Sequence, residues 1–454
     1  MFKPSLYLLI LLAIMLAACG SSDATTPTFT PEPVAPLPDT AAPPTQAALP
    51  SPTLPPPPPT ELPTPQVTPA GDTWMKYYGG NHDDMVESIL LAEDGGFYLA
   101  GEADSRFSSG APGEAYLLRL DPAGEILWEQ TYPGFSGFQA VRPTGDGGLL
   151  LSGVTASPAG DNTDIFLLQV DQDGTVLWSQ TFGGPLDEYG VAWPLEDGGY
   201  FVGGIVVDPN DIVVDDPGVA GYGGFSGRSN IYLARIDADG NQLWSQTIGD
   251  ERNVMTSAGL MAADGGFIIL ANVLNYPASD DDIILLKVDP DGNEVWSHTW
   301  EQGNLDGNAL IPTSDGNYLI AGGYALAAET GMAQKDLMFI MVDPDGNECW
   351  QSVFGDPQAY DWAYAVAQTA DGGFIAAAEL SPDLFTWQGD ILLVKLDAQG
   401  QLIWQQTFDT NTHTMLRGVL EHPQGGYVIA GSSYYRGDFE ILLIRTDSEG
   451  KLER

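Results

Sequence analysis

Acidic, amide and aromatic side chains recur in the segments that separate the apolar runs of this chain. Aromatic rings stack on the flat apolar faces of sugars and peptides, while carboxylates, amides and guanidinium groups fix orientation through hydrogen bonds. These residues predict a site for a protein or carbohydrate ligand. The open alternative is that they only pack against their neighbours and contact solvent. The candidate ligand-binding residues are Asp84, Glu87, Asp187, Glu188, Asn308, Asp361, Trp362, Tyr364 and Arg417.

Catalytic motifs are missing from this set. The sequence contains no Ser-His-Asp order, no nucleophile elbow and no zinc motif of known spacing. We therefore expect a non-catalytic binding or scaffolding module. The alternative from a different class is a hydrolase or lyase that uses the carboxylates of Asp84, Glu87, Asp187 and Asp361.

Metal ligands form a second, sparser set. His82 and His413 would lie on neighbouring segments if the chain closes into a ring, and imidazole nitrogens bind zinc. Asp280 and Asp281, and the acidic stretch from Ile205 to Asn230, offer the oxygens that calcium prefers. Solvated acidic loops explain the same residues, so we expect no cofactor, with calcium as the alternative.

The elements that position these residues follow from an internal repeat. A tryptophan recurs in the same local context at intervals of 50 to 66 residues, which is the period of a propeller blade rather than of a solenoid. The seven positions are Trp74, Trp128, Trp178, Trp244, Trp296, Trp350 and Trp404.

Each repeat contains four predicted strands. An Asp-Gly-Gly turn, as at Asp264, joins the first two strands, because glycine supplies the positive φ that a short hairpin needs. The third strand is a near-continuous apolar run, as in Asp282 to Asp289, and is expected to be buried on both faces. The pattern predicts an all-β fold, a seven-bladed β-propeller of four-stranded antiparallel blades.

The fourth-strand motif resembles that of a known family. The segment Asp397-Ala-Gln-Gly400-Gln-Leu-Ile-Trp404 and its six relatives look like the tryptophan-docking repeat of pyrroloquinoline-quinone-type (quinoprotein-like) β-propellers. This resemblance implies a ring in which each tryptophan locks adjacent blades. A quinoprotein dehydrogenase would also show an adjacent cysteine pair, whereas the chain holds two cysteines, Cys19 and Cys349, far apart. The resemblance therefore implies the non-catalytic branch, some of whose lipoproteins are assembly factors for envelope proteins.

The last repeat lacks its fourth strand. It ends at Arg454, where the other repeats have their tryptophan, while the chain offers a lone strand around Trp74 before the first repeat. We expect this N-terminal strand to complete the seventh blade, because ring closure removes an exposed sheet edge.

The N-terminal region predicts export and anchoring. Residues 1–18 combine a charged start with an apolar run too short for a lasting membrane span, and Leu16-Ala17-Ala18-Cys19 resembles a bacterial lipobox in which Cys19 is lipidated. Residues 19–70 are rich in proline and threonine and predict an unpacked stalk. Residues 71–454 would form the propeller. The expected location is extracytoplasmic, lipid-anchored to a bacterial cell membrane.

The net charge restricts the partners. Sixteen basic against 62 acidic residues give −46, which argues against nucleic acid and anionic lipid surfaces. We expect a monomer that contacts the membrane only through the Cys19 lipid. Five basic residues, Arg119, Arg235, Lys287, Lys395 and Arg445, share one column of the repeat, where structural ion pairs are expected.

Overall fold

The computed structural model describes residues 73–80, 82–105, 113–156, 162–208, 228–249, 253–274, 281–301, 303–325, 335–356, 359–381 and 389–452. The predicted signal peptide, Cys19, the stalk and Asp280 lie outside the described residues. Among the described residues, no helix is long and apolar enough to cross a membrane.

The regular elements are 28 strands in seven four-stranded antiparallel sheets, the blades. Blade one contains β2 (Asp83–Leu91), β3 (Phe97–Ser105), β4 (Glu114–Leu120) and β5 (Ile126–Tyr132). Blade two contains β6 (Gly137–Pro143), β7 (Leu149–Ala156), β8 (Thr163–Val170) and β9 (Val176–Phe182). Blade three contains β10 (Asp187–Pro194), β11 (Tyr200–Asp208), β12 (Arg228–Ile236) and β13 (Gln242–Ile248). Blade four contains β14 (Asn253–Met261), β15 (Phe267–Leu274), β16 (Asp282–Val288) and β17 (Glu294–Trp300).

Blades five and six keep the same strand order, whereas blade seven takes its fourth strand from the N-terminal part of the propeller. Blade five contains β18 (Asn304–Pro312), β19 (Tyr318–Ala325), β20 (Asp336–Val342) and β21 (Glu348–Phe354). Blade six contains β22 (Tyr360–Gln368), β23 (Phe374–Ser381), β24 (Gly389–Leu396) and β25 (Leu402–Thr412). Blade seven contains β26 (Thr414–Glu421), β27 (Tyr427–Tyr435), β28 (Asp438–Arg445) and, as its fourth strand, β1 (Trp74–Tyr78).

The N-terminal strand closes the ring, as the sequence predicts. Antiparallel pairing joins β1 to β28 from Trp74 opposite Arg445 to Tyr78 opposite Ile441. The propeller and its closure are thereby confirmed.

The core consists of seven apolar clusters, each between two adjacent blades. The cluster at the closure contains Val86 and Leu99 of blade one together with Val428 and Leu443 of blade seven. The other six clusters join the remaining pairs of neighbours in the same way. Burial between sheets therefore continues around the whole ring, and the third strands are buried on both faces as predicted.

Six of the seven fourth-strand tryptophans pack on the turn glycine of the next blade, and Trp178 is the exception. A Cβ added to Gly124 in blade one would lie 2.7 Å from the ring of Trp74, which belongs to blade seven. The Tyr78 hydroxyl donates to the Gly124 carbonyl oxygen at 2.8 Å, and Tyr132 makes the same bond to Gly174. Glycine is required at Gly124 because the space is filled and the φ angle is +75°.

The basic column forms the predicted ion pairs in four blades. Arg119 pairs with Asp94 at 2.6 Å, Lys287 with Asp264 at 2.5 Å and Lys395 with Asp371 at 3.0 Å; Arg235 pairs with Asp197. Each acid belongs to the first hairpin turn of the same blade, so these pairs hold a turn against the third strand.

The predicted loop from Ile205 to Asn230 is shorter than expected. Strand β11 continues to Asp208 and β12 begins at Arg228, because Val206 pairs with Asn230 and Val207 with Ser229. The boundaries of the prediction were wrong at both ends, and residues 209–227 lie outside the described part.

Candidate functional site: the inner strands and their links

The first strand of each blade lies innermost, and most of these strands carry a β-bulge at one equivalent position. The first strands of successive blades contact one another around most of the ring. Six of them shift register at the bulge, and blade three is regular there. A bulge re-aims the extra side chain. We call the bulge residues the channel ring: Glu87, Gln139, Ser257, Asn308, Tyr364 and Arg417.

Four of the predicted site residues belong to the channel ring. Each is partly exposed while the residues beside it in β18, β22 and β26 are mostly buried, as expected for side chains that border an opening. They are Glu87, Asn308, Tyr364 and Arg417. Blades five, six, seven and one, which follow one another around the ring, thus place an amide, a phenol, a guanidinium and an acid at the equivalent bulge position.

An ion pair spans the closure inside the ring. Arg417 Nε donates to Glu87 Oε2 at 2.6 Å and Arg417 Nη2 donates to Glu87 Oε1 at 3.3 Å. About a third of each side chain is exposed. Burial opposes the charge on Arg417, but the Glu87 carboxylate outweighs it and raises the pKa of Arg417. The pair is therefore charged and connects blade seven to blade one.

Tyr364 connects the ring to a half-buried carboxyl that the sequence analysis did not single out. Glu379, on β23, accepts a hydrogen bond from Tyr364, and burial raises the pKa of Glu379 to about 7. Burial, followed by the charge of Glu379, raises the pKa of Tyr364. Next to it, Asn308 Nδ2 donates to the Ala363 carbonyl oxygen on the neighbouring inner strand at 3.0 Å. These contacts fix the two ring residues across the junction of blades five and six.

Three other predicted residues are buried where the link enters an inner strand. Asp84 accepts from the Gly80 backbone N–H at 2.6 Å, Glu188 from that of Gly184 at 3.1 Å, and Asp361 from that of Asp356 at 2.7 Å. Their exposed fractions are 5%, 4% and 1%. These carboxyls therefore bind backbone N–H groups of the segments that link one blade to the next.

Burial also changes the ionisation of two of these acids. Burial, together with the charges of Asp164 and Asp187, raises the pKa of Glu188 to about 7. Burial, together with Asp336 and Asp356, raises the pKa of Asp361 to about 6. Both acids face another acid rather than a base.

The remaining predicted residues, Asp187 and Trp362, make local contacts. Asp187 Oδ1 accepts from the Thr163 backbone N–H at 2.8 Å. Trp362 stacks on Tyr360 and its Nε1 donates to Asp306 Oδ2 at 3.3 Å. Asp306 also pairs with the buried Lys335, so the indole is one partner in a charged cluster of blade five.

The predicted metal ligands do not assemble into a centre within the described part of the chain. No group of three His, Cys, Asp or Glu side chains there is placed to hold a metal ion. His413 packs edge-on against Phe439, and burial lowers the pKa of His413. The Asp281 carbonyl oxygen accepts from the Leu305 backbone N–H at 2.8 Å. His82 precedes β2.

Sequence reasoning missed Gln139, Ser257 and Arg142. The first two occupy the same bulge position as Glu87 and could have been found by aligning the first strands of all repeats. Arg142 Nε donates to the Ala192 carbonyl oxygen of blade three at 3.0 Å, and its guanidinium lies 4.6 Å from the Trp193 ring centre. Burial lowers the pKa of Arg142 to about 10.

The architecture defines a repeat-type β-propeller, and comparison with protein families agrees. Residues 113–299 match the family model described as outer membrane protein assembly factor BamB, which models pyrroloquinoline-quinone-type repeats. The match covers well under half of the chain; together with the seven closed blades, it supports a β-propeller repeat protein similar to the pyrroloquinoline-quinone type. The fold and this match support a role in binding or scaffolding.

Solved structures share the fold at low similarity. The WD40 propeller domain of Doa1 is 12% identical, with a TM-score of 0.46 over 83% of this chain and 97% of that one. The Neurospora crassa Pan2 WD40 domain is 12% identical, with a TM-score of 0.46 over 79% and 88%. A Bacteroides caccae protein of unknown function is 14% identical, with a TM-score of 0.39 over 69% and 94%. At such values these likenesses carry no argument about function. No curated protein matches the chain.

The quinone of the family name does not fit the residues present. Adjacent cysteines are lacking in the sequence, and the single described cysteine, Cys349, is exposed on strand β21, one of the outer strands. We derive no quinone chemistry for this chain.

Proposed function

We propose that the propeller is a non-catalytic binding module that holds a protein or carbohydrate ligand at the channel ring. The observation that carries the proposal is the repeated bulge, which presents a different polar or aromatic side chain from each of six blades. The backbone position is the same in each of these blades, but the side chain differs from blade to blade. Such an arrangement suits recognition of an extended ligand whose chemical groups vary along its length. The ring contains an ion pair, an amide and a phenol, groups that fix the orientation of such a ligand.

Location supports the same proposal. A lipidated Cys19 and a proline-rich stalk would hold the propeller outside the cytoplasm, where envelope proteins and glycans are the available ligands. The charge of −46 favours ligands that are neutral or basic. We further propose that the chain is displayed as a monomer.

A second candidate is a role as assembly factor for envelope proteins. The match of residues 113–299 to a family described as an outer membrane protein assembly factor favours it. In that case the ligand at the channel ring is a segment of an envelope protein rather than a glycan.

The test is a ligand screen by thermal unfolding with matched variants. A ligand stabilises the state that binds it, so a hit among extended peptides, oligosaccharides or peptidoglycan fragments raises Tm. We expect the double variant Asn308→Ala with Tyr364→Ala to lose at least tenfold in affinity for that hit. Lys76→Ala, on the outer strand β1, should keep wild-type affinity.

The classes of ligand separate in the same screen. A peptide hit favours the assembly role, and a sugar hit favours glycan binding. A hit whose affinity is equal in wild type and double variant shows that the channel ring is not the site. Turnover that Asp361→Asn or Glu87→Gln abolishes would instead favour the hydrolase or lyase alternative.

A further inference from the structure

Two carboxylates converge over a glycine at the junction of blades five and six. Asp336 begins β20, Asp361 is the second residue of β22, and Gly355 directly follows β21. A Cβ added to Gly355 would lie 2.5 Å from Asp336 Oδ1 and 2.5 Å from Asp361 Oδ2. Because both oxygens are that close to one point, they lie within about 5 Å of each other, close enough for one cation beside Gly355 to contact both.

One oxygen of Asp361 has no partner in this part of the protein. The side chain is 1% exposed, and Oδ2 accepts from the Asp356 backbone N–H. Its Oδ1 is fully buried and has no hydrogen-bond donor among the described residues. Buried polar atoms are nearly always satisfied. The orphaned oxygen therefore points to a species that the side chains do not supply.

The charges around this oxygen are of one sign. Asp336 and Asp356 both raise the pKa of Asp361, after burial as the main cause. The basic residue next in sequence, Lys335, is already paired with Asp306. A buried acid beside a second, partly buried acid is costly without a base unless a cation or a proton neutralises it.

The junction of blades two and three repeats the arrangement. Asp164 on β8 takes the place of Asp336 and Glu188 that of Asp361; Asp164 lies against Gly183 and Glu188 against the next glycine, Gly184, and Asp164 Oδ1 also accepts from Asn162 Nδ2 at 3.3 Å. Glu188 is 4% exposed and its Oε2 is buried with no partner among the described residues. Two junctions with the same defect indicate a common occupant rather than a local irregularity.

We propose that Asp336 and Asp361 hold a divalent cation of the calcium class between blades five and six. Calcium takes six to eight oxygens, and carboxylates, backbone carbonyls and water all serve. With two carboxylate side chains as ligands, backbone and water supply the remainder, so the affinity falls in the millimolar range typical of extracellular calcium modules. Glu188 and Asp164 form the second copy of the site.

The experiment is thermal unfolding of the full chain at pH 8 in 0 to 10 mM CaCl2 at constant ionic strength. We expect Tm of the wild type to rise by about 1–3 °C. Asp361→Asn keeps an acceptor for the Asp356 N–H but removes the charge, and should lose part of the calcium-dependent rise. Adding Glu188→Gln should remove the rest.

The control is Asp345→Asn, which removes one charge from a turn between β20 and β21 and should keep the full rise. An equal rise in wild type and in the double variant overturns the proposal, because screening of the acidic surface then explains the effect. No rise up to 10 mM also overturns it and leaves a buried water or a shared proton at Asp361. If Asp361→Asn fails to fold, Asp336→Asn tests the same site.

Discussion

At the scale of single residues, the predicted rim residues divide into two environments. Glu87, Asn308, Tyr364 and Arg417 border the opening, whereas the acids that hold the links are buried. The sequence pattern placed both groups near the start of the first strands but could not distinguish them. A residue at a bulge and a buried acid at the start of the strand differ only in their position along the strand. Burial, not residue type, separates the two groups.

The buried acids make stability depend on pH. Glu188 and Glu379 have folded-state pKa values of about 7 and Asp361 of about 6, all above their ordinary values. A raised acid pKa means that the folded protein binds more protons, so this stability is present below pH 4 and lost as pH rises to 7. We expect the free energy of unfolding to fall by several kcal/mol between pH 5 and pH 8, at about 1.4 kcal/mol for each pKa unit by which these acids are raised within this range.

Calorimetric or denaturant unfolding across this range checks the prediction. The double variant Glu188→Gln with Glu379→Gln should be less dependent on pH, whereas Asp173→Asn, in an exposed turn, should follow the wild type. The prediction is wrong if the double variant keeps the full pH dependence. That result would assign the effect to repulsion within the acidic surface.

At the scale of elements, the first hairpin of blade seven departs from the others. Gln424 replaces the aspartate that pairs with a basic residue in blades one, three, four and six. Arg445 is therefore 2% exposed without a carboxylate: Nη2 donates to the Gly425 carbonyl oxygen at 3.0 Å, and Nη1 has no partner among the described residues. Burial lowers the pKa of Arg445.

Gln424→Asp should stabilise the protein by about 1 kcal/mol, because it supplies the missing charged partner to a buried guanidinium. The measurement is Tm of the variant beside Gln424→Asn, which has the same shape but no charge. Equal Tm values for the two variants would mean that the altered backbone of this hairpin, with positive φ at both Gly425 and Gly426, keeps the carboxylate out of reach.

Elements were the most predictable level of this protein. The repeated tryptophans, the glycine-containing first hairpin turns and the apolar third strands recur in all seven repeats, so each copy supports the others. The loop before β12 was predicted too long at both ends: the apolar Ile205 to Val207 continue β11, and the polar Arg228 to Asn230, which lack an apolar pattern, begin β12. The inner bulges were missed because a bulge depends on the partner strand, which spacing alone does not reveal.

At the scale of the whole molecule, the closure strand joins the two ends of the chain. Beyond the β1–β28 ladder, the Phe439 backbone N–H donates to Asp83 Oδ1 at 2.9 Å, and Arg417 pairs with Glu87. Every blade interface is apolar, so opening one interface exposes core on both sides. The ring is therefore expected to unfold as a unit.

Deleting residues 72–79 should lower Tm by about 6 °C, on the order of 5 kcal/mol, because it exposes β28 and removes Trp74 and Tyr78 from the core. The measurement is cooperative unfolding by circular dichroism. Deleting residues 21–60, in the predicted stalk, is the control and should leave Tm unchanged. A protein without residues 72–79 that melts at the wild-type temperature would show that β1 does not hold the ring.

The pairing of Trp74 with Arg445 also sets an order in time. These partners are about 370 residues apart, so at roughly 5–20 residues per second the ribosome finishes β28 some 20–70 s after β1. During that interval β1 has no partner and the growing sheet array has an open side. Completion of the ring is thus the last step in folding of the propeller, and a chain that stops before β28 leaves both edges unpaired.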